Sequence, residues 1–313
     1  MNLLDIALSS ISFLTVREKL LLKENIDSLS NLAVLSMEEI SQIVGRFPKR
    51  AIWNPNEVVK IAEQGNAIME NLDIHGVTYE DRDYPALLRE ISDSPYAIYY
   101  RGNIGVLSKR CVSVVGTRNV CEPCAKEAYN FAYEAALDGC TVVSGLAYGI
   151  DSFVHKGAVE SNMSFCTAAV LPCGIDTISP VGNKNLAAKI LKMQGCILSE
   201  YPPESPGGAW RYVQRDRIIA SLSPATVVIQ APSGSGALIT ADFALDFNRD
   251  VMFHESCFCE QAQKIKGKEK GKIPLQYVQD GAPVIKNYKD YVSALKSAPG
   301  THSKNIDVQG LLF

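Results

Sequence analysis

Val112-Ser113-Val114-Val115-Gly116-Thr117-Arg118 is a short β-branched run that ends in a glycine, a hydroxyl and a guanidinium. Val142-Val143 begins the same move again and ends in Ser144-Gly145-Leu146-Ala147-Tyr148-Gly149-Ile150-Asp151. Runs of this kind suit strands buried on both faces, and the polar loop after each suits the carboxyl edge of a parallel sheet. Working outward, similar runs start near Ala168, Ile197, Val227 and Val251. Each is followed by a Gly- or Pro-bearing loop and an amphipathic stretch, the spacing of repeated strand-helix units. This pattern predicts an α/β protein with an extended, Rossmann-like, doubly wound and mostly parallel sheet. Its helices are expected over 122–138, 150–160, 183–193, 214–222 and 236–248, and the pattern stops beyond Val251.

Residues 1–72 read differently. Apolar positions recur at helical spacing in Leu3-Leu4-Ile6-Ala7, Leu29-Leu32-Val34-Leu35 and Ile40-Ile43-Val44, between Ser, Asn and Asp residues that suit N-caps. Ser36 with Glu39 has the capping-box spacing, and Pro55 suits the first turn of a longer helix to Asn71. A small all-α N-terminal domain is expected. Residues 73–103 read as a connector packed on the main domain: a turn, a short helix from Pro85, a turn at Pro95 and a strand through Ile98, Tyr99 and Tyr100. The sheet domain spans 104–290, and 291–313 is a tail too short for a winged helix.

The 313 residues are 47% hydrophobic and 21% charged, with a formal net charge of -3, so no global positive field attracts a polyanion and any nucleic-acid contact must be local. Asp5 and Arg17-Glu18-Lys19 interrupt the apolar N-terminus, which excludes a signal peptide or membrane span and predicts a cytoplasmic protein. Nine cysteines without a framework are expected to stay reduced. Cys121-Glu122-Pro123-Cys124 has half-zinc-site spacing, and Cys257 with Cys259 could complete four thiolates. Because the second pair lacks the usual two-residue spacing, a redox or chance pattern is preferred and no metal is assigned.

Three loops on one sheet edge carry the chemistry. Gly116, Thr117 and Arg118 bring amides, a hydroxyl and a guanidinium to a helix start, which suits a phosphate. Gly145 and Gly149 let the second loop approach a ligand, and Asp151 with His155 reads better as a cap and an ordinary helical histidine than as an acid/base couple. Ser233-Gly234-Ser235-Gly236 before Thr240 forms a third anion cradle. Trp210-Arg211-Tyr212-Val213-Gln214-Arg215-Asp216-Arg217 interleaves arginines with aromatics, as single-stranded nucleic-acid sites do. Neither a Gly-x-Gly-x-x-Gly fingerprint nor a Walker lysine is present, so no cofactor is assigned.

In order and spacing, the Asp81-x-x-Tyr84-Pro85-x-x-Leu88 pattern, Val115 to Arg118, Val143 to Asp151 with His155, Ser199 to Pro203, Arg215 to Ala220 and Ser235 to Ala241 resemble the DprA/Smf DNA-processing family. The resemblance implies a non-enzymatic mediator of DNA uptake and recombination. It would bind single-stranded DNA, form a homodimer and help load the RecA recombinase in natural transformation, and its N-terminal helices would be sterile-alpha-motif-like. Carried onto this chain, Arg118 would hold a backbone phosphate in a loop shaped by Gly116 and Thr117. Ser144, Gly145 and Gly149 would line the same pocket, Arg215 and Arg217 would contact the strand, and Ser235, Gly236 and Thr240 would close it. Lys184 could add a phosphate contact.

Two departures from the family pattern stand out. Asp216 replaces the family's asparagine, which implies reduced DNA affinity. A basic run from Lys264 to Lys272 replaces the family's Pro-Gly loop and reads as a solvated segment that could touch phosphates. Alternative readings are a nucleotide-binding sensor, or a hydrolase similar to nucleoside-monophosphate phosphoribohydrolases in which Glu200 or Asp151 would act. The latter family's Pro-Gly-Gly-x-Gly-Thr loop reads Pro232-Ser233-Gly234-Ser235-Gly236-Ala237 here.

Overall fold

The computed structural model describes residues 1–49, 51–267 and 271–297. Lys268 and Lys270 of the basic run and residues 298–313 of the expected tail lie outside the described residues.

Local sequence sets the helical start of the chain. Helices α1 (Leu3–Ser10), α2 (Val16–Asn25) and α4 (Met37–Val44) each open on a reciprocal capping box, made by Asn2 with Asp5, Thr15 with Glu18, and Ser36 with Glu39. Each box satisfies two amide groups that a helix end would otherwise leave orphaned. Between them α3 (Leu29–Val34) is capped by Ser28, and α5 (Pro55–Asn71) has Asn54 as its cap and Pro55 in its first turn. Gly45 ends α4 at φ +77°, a left-handed position that costs a glycine nothing.

Next come β1 (His75–Thr78), α6 (Ala86–Arg89) and β2 (Ala97–Gly102). The alternating part of the chain follows as β3 (Cys111–Gly116), α7 (Glu122–Leu137), β4 (Thr141–Ser144), α8 (Ile150–Glu160), β5 (Thr167–Val170), α9 (Lys184–Lys192), β6 (Cys196–Ser199), α10 (Ala209–Ser221), β7 (Ala225–Gln230), α11 (Gly236–Asp246) and β8 (Asp250–His254). Short elements α12 (Glu260–Gln263), α13 (Pro274–Gln279), β9 (Val284–Ile285) and α14 (Tyr288–Ser297) complete it.

The strands form one sheet in the order β1-β2-β6-β5-β4-β3-β7-β8-β9. Strands β3 to β9 pair in parallel, while β1 and β2 add an antiparallel edge beside β6. The expected doubly wound, mostly parallel sheet is therefore present. Two differences are instructive. The sequence reading had no strand at 75–78, where a glycine and an exposed histidine blur a four-residue run; it forms by pairing with β2 in the register His75 to Tyr100. Helix α10 also begins five residues before the expected 214, after the Gly207-Gly208 pair, with no side-chain cap to announce it.

Both faces of the sheet are covered, which is why its strands alternate between two apolar cores. Val112, Val114, Val142, Val227 and Met252 pack with α7, α8 and the tyrosines of α14. Val115, Val143, Ala168, Val228 and Phe253 face the opposite way, toward α10 and α11. The N-terminal helices join the first side through a third cluster in which Ile6, Leu8, Leu22 and Ile40 meet Ala169, Ile197 and Ile190. Full burial of each such side chain contributes roughly 1.5–3 kcal/mol. Polar ties cross the same junction: Tyr96 Oη donates to Asp5 Oδ1 at 2.9 Å, and Ser9 Oγ lies 2.6 Å from Tyr99 Oη. Among the described residues no helix is long and apolar enough to cross a membrane.

Candidate nucleic-acid interface

The strand order reverses at β3, which has β4 on one side and β7 on the other. Such a switch point leaves a crevice at the carboxyl ends of the two strands, because the connections that follow diverge to opposite faces. A cavity of about 460 Å³ opens there, between the loops after β3 and β7 and the first half of α10.

Backbone pairing shapes the first loop. The ladder between β3 and β7 shifts register between Val115 and Gly116, Thr117 N donates to Gln230 O at 2.8 Å, and Cys121 N donates to Gln230 Oε1 at 3.0 Å. Gly116 sits so close to Ile150 that a Cβ there would collide with its side chain. Gly149, at φ +79°, presses on the carbonyls of Thr117 and Arg118, and Ile150 N donates to Thr117 O at 3.2 Å. The first two loops are thus one packed unit. From it Arg118 projects into solvent, its guanidinium 4.7 Å from the centroid of the Tyr212 ring. Arg215 lies over the same ring at 5.9 Å, so Tyr212 is a platform shared by two cations.

The third loop supplies the opposite wall. Ser235 caps α11 by accepting from Ala237 N at 3.4 Å, while Gly236 is exposed and Thr240 is buried one turn on. The positive end of the α11 dipole at this helix start favours an anion. The described ends of the basic run, up to Gly267 and from Gly271, pack on this wall, where the sequence predicts a solvated loop. Gly267 packs on Ser233, Gly271 packs on Gly234, and Gly234 N donates to Lys272 O at 2.9 Å, so the exposed Lys266 borders the cavity. The signal for this was the pair of glycines flanking the lysines, which allow that close approach.

Of the expected site residues, Gly116, Thr117, Arg118, Arg215, Ser235, Gly236 and Thr240 meet at this cavity. The other five do not reach it. Ser144 is fully buried and its Oγ donates to Val114 O at 2.7 Å, tying β4 to β3. Gly145 lies beneath the Arg215 guanidinium, where any side chain would displace it, and Gly149 acts as the packing hinge just described. Lys184 is exposed at the start of α9 and does not border the cavity. Its neighbour Asn183 carries the structural role, donating to Leu146 O at 2.7 Å and to Ser152 Oγ at 2.9 Å and so holding the second loop.

Arg217 is placed away from this cavity. It is 6% exposed and held by Glu200 at 2.6 Å and Asp93 at 3.1 Å, so its charge is spent inside the protein. Arg215 is also buried, with Nη1 donating to Val170 O at 3.0 Å and Nε 3.1 Å from Asp216 Oδ1. It still borders the cavity.

Two carboxyl groups share that wall. Burial pushes Asp216 up to about 7, against the pull of Arg215 and Arg118, and Asp151 nearby raises it further. Burial also raises Asp151, which accepts from Ala147 N at 3.3 Å and is opposed by Arg215. His155 is buried with its Nδ1 2.8 Å from Thr167 Oγ1, and burial lowers it to about 3, so it stays neutral and structural. A larger cavity of about 910 Å³ lies near the start of β8, but its Lys272 is bound to Asp242 at 2.7 Å and it lacks the converging helix ends.

An extended Rossmann-like protein with a polar crevice at its strand reversal is what this fold and this site define. The chain belongs to the family described as DNA recombination-mediator protein A, whose model matches residues 75–296. It is 31% identical over 300 residues to Protein Smf of Borreliella burgdorferi, covering 96% of this chain and 90% of that one. Among solved structures it is similar to DNA processing protein A of Streptococcus pneumoniae, with a TM-score of 0.69 and 26% identity over 92% of this chain and 95% of the other. Helicobacter pylori DNA processing protein A, described for its single-stranded DNA binding mode, shares the fold with a TM-score of 0.59 and 22% identity, over 71% of this chain and 95% of that one.

Proposed function

We propose that this protein binds single-stranded DNA along the carboxyl edge of its sheet, as a cytoplasmic, non-enzymatic and dimeric recombination mediator that helps load RecA. The observation that carries the reading is Arg118: exposed, braced on Tyr212 and bordering the same cavity as the Ser235-Gly236 helix start. A guanidinium beside a helix start grips a phosphate, and the neighbouring aromatic rings Tyr212 and Trp210, the latter 61% exposed, offer faces for bases to stack on. Family membership supports the role in recombination. The dimer and the loading of RecA rest on the family resemblance alone.

Titration with labelled oligo-dT at several salt concentrations tests the reading. Affinity should fall linearly on a log-log plot with a slope of about 0.7 per phosphate contacted, and should rise with strand length. Binding that ignores salt, or no binding, overturns it.

The hydrolase alternative needs a carboxylate at the cavity. Of the two candidates, Glu200 is engaged by Arg217 and does not border the cavity, whereas Asp151 does. Release of adenine from AMP, lost in Asp151→Asn, would replace the proposed function with that one.

A further inference from the structure

Three thiols converge beside the first phosphate loop. The Sγ atoms of Cys121, Cys124 and Cys259 all lie within 4.8 Å of one another. Cys121 stands at the N-cap position of α7 with its side chain making no cap bond, Cys124 is buried one turn on, and Cys259 opens α12. Cys257 does not join them. It is buried on the other face of the sheet, in the cluster that holds Phe253 and Tyr277, so the expected four-thiolate set reduces to three.

We infer that Cys121, Cys124 and Cys259 form a thiolate site for a borderline-soft divalent cation of the zinc class, with its fourth position open to solvent or an added ligand. Tetrahedral zinc with Zn–S bonds of about 2.3 Å needs sulfurs about 3.8 Å apart, which three sulfurs within 4.8 Å of one another can meet. One helix N-terminus at Cys121 favours negative sulfur, and Cys259 Sγ already accepts from Ala262 N at 3.4 Å.

The site would staple two parts of the anion crevice. Cys121 lies three residues after Arg118, and Cys259 starts the segment that leads to Lys266 over the Ser233-Gly234 loop. Metal would therefore hold the floor and this segment together, whatever anion the crevice takes.

Reduced, metal-free full-length protein should be titrated with Co(II) and then Zn(II), without nucleic acid. The expected result is one equivalent bound, with the charge-transfer and d–d bands of a tetrahedral cobalt thiolate that zinc displaces. Cys121→Ser and Cys259→Ser, both at half-buried positions, should lose the bands while keeping the wild-type circular dichroism spectrum. Cys257→Ser should keep them. Zinc should also slow trypsin cleavage at Lys264 and Lys266 in wild type and not in Cys259→Ser. The inference is overturned if reduced protein takes up no metal, if Cys259→Ser binds as well as wild type, or if the bands depend on Cys257. It is equally overturned if Cys121 and Cys124 are found only as a disulfide and their reduction restores no metal uptake.

Discussion

Arg118 and Arg217 are the same residue type on the same carboxyl side of the sheet, yet one is exposed on an aromatic platform and the other is buried between two carboxylates. The difference is not in their immediate neighbours in sequence but in what the fold brings to them. Arg118 is exposed, stacked on a ring and only electrostatically coupled to Asp216, with no carboxylate bound to it among the described residues, so its guanidinium is accessible to a ligand. Arg217 meets Glu200 from the end of β6 and Asp93 from the connector, so it fastens α10 to both. A guanidinium reads as a phosphate contact only when no internal carboxylate has claimed it.

The largest effect should come from breaking the buried partner of this comparison. Arg217→Ala leaves Glu200, whose side chain is 14% exposed, without its cation, and should destabilise the protein by about 3–5 kcal/mol in urea unfolding. The double variant Arg217→Leu with Glu200→Leu should recover most of that loss, since an apolar pair replaces the ion pair. Folded Arg217→Ala protein should bind oligo-dT as wild type does; weaker binding at equal folded concentration would restore Arg217 to the DNA site.

Arg118→Ala should do the reverse. Stability should change by less than about 0.5 kcal/mol, because the side chain is exposed and only stacked. Oligo-dT affinity should fall about ten- to a hundredfold, the worth of one charge-assisted hydrogen bond, and the salt slope should drop by about 0.7. Smaller again, Lys266→Ala should lower the slope by at most about 0.7 with a few-fold loss of affinity, since an exposed ammonium is a looser phosphate contact. A slope unchanged in Lys266→Ala would mean that Lys266 does not touch the strand.

Much of this architecture was legible before the structure. Strands from Val112 to Val251 announce themselves because burial on both faces demands uninterrupted small apolar runs. The capping box of α4 is a local event and needs no tertiary knowledge, whereas those of α1 and α2 were not read. The antiparallel edge at β1 was not legible, since four residues with a glycine acquire strand geometry only from β2. In the site, Arg118 was readable because it directly follows a strand end, whereas the fate of Arg217 depended on Asp93 and Glu200, which are far from it in the chain. Cys259 and Cys257 differ for a similar reason: two residues apart, they fall in clusters on opposite faces of the sheet, and spacing alone treated them as a pair.

Asp216 sharpens the comparison most finely, because it is paired with the buried Arg215 and also coupled to the exposed Arg118. Its carboxyl is raised to about 7 by burial, with Asp151 adding to the rise and Arg215 and Arg118 opposing it. An unfolded aspartate ionises near 4, so the native state holds the extra proton between about pH 4 and 7. Stability from this group is therefore present at low pH and falls as pH rises through that window, and Asp216→Asn should flatten this part of the profile. The same ionisation acts on binding. Above pH 7 the carboxylate, which borders the same cavity as Arg118, repels a phosphate held there. Oligo-dT affinity should thus weaken a few-fold between pH 6 and 8 in wild type, and stay level and tighter at pH 8 in Asp216→Asn. If the variant instead keeps the wild-type pH dependence, Asp151 rather than Asp216 is the group that titrates beside the bound strand.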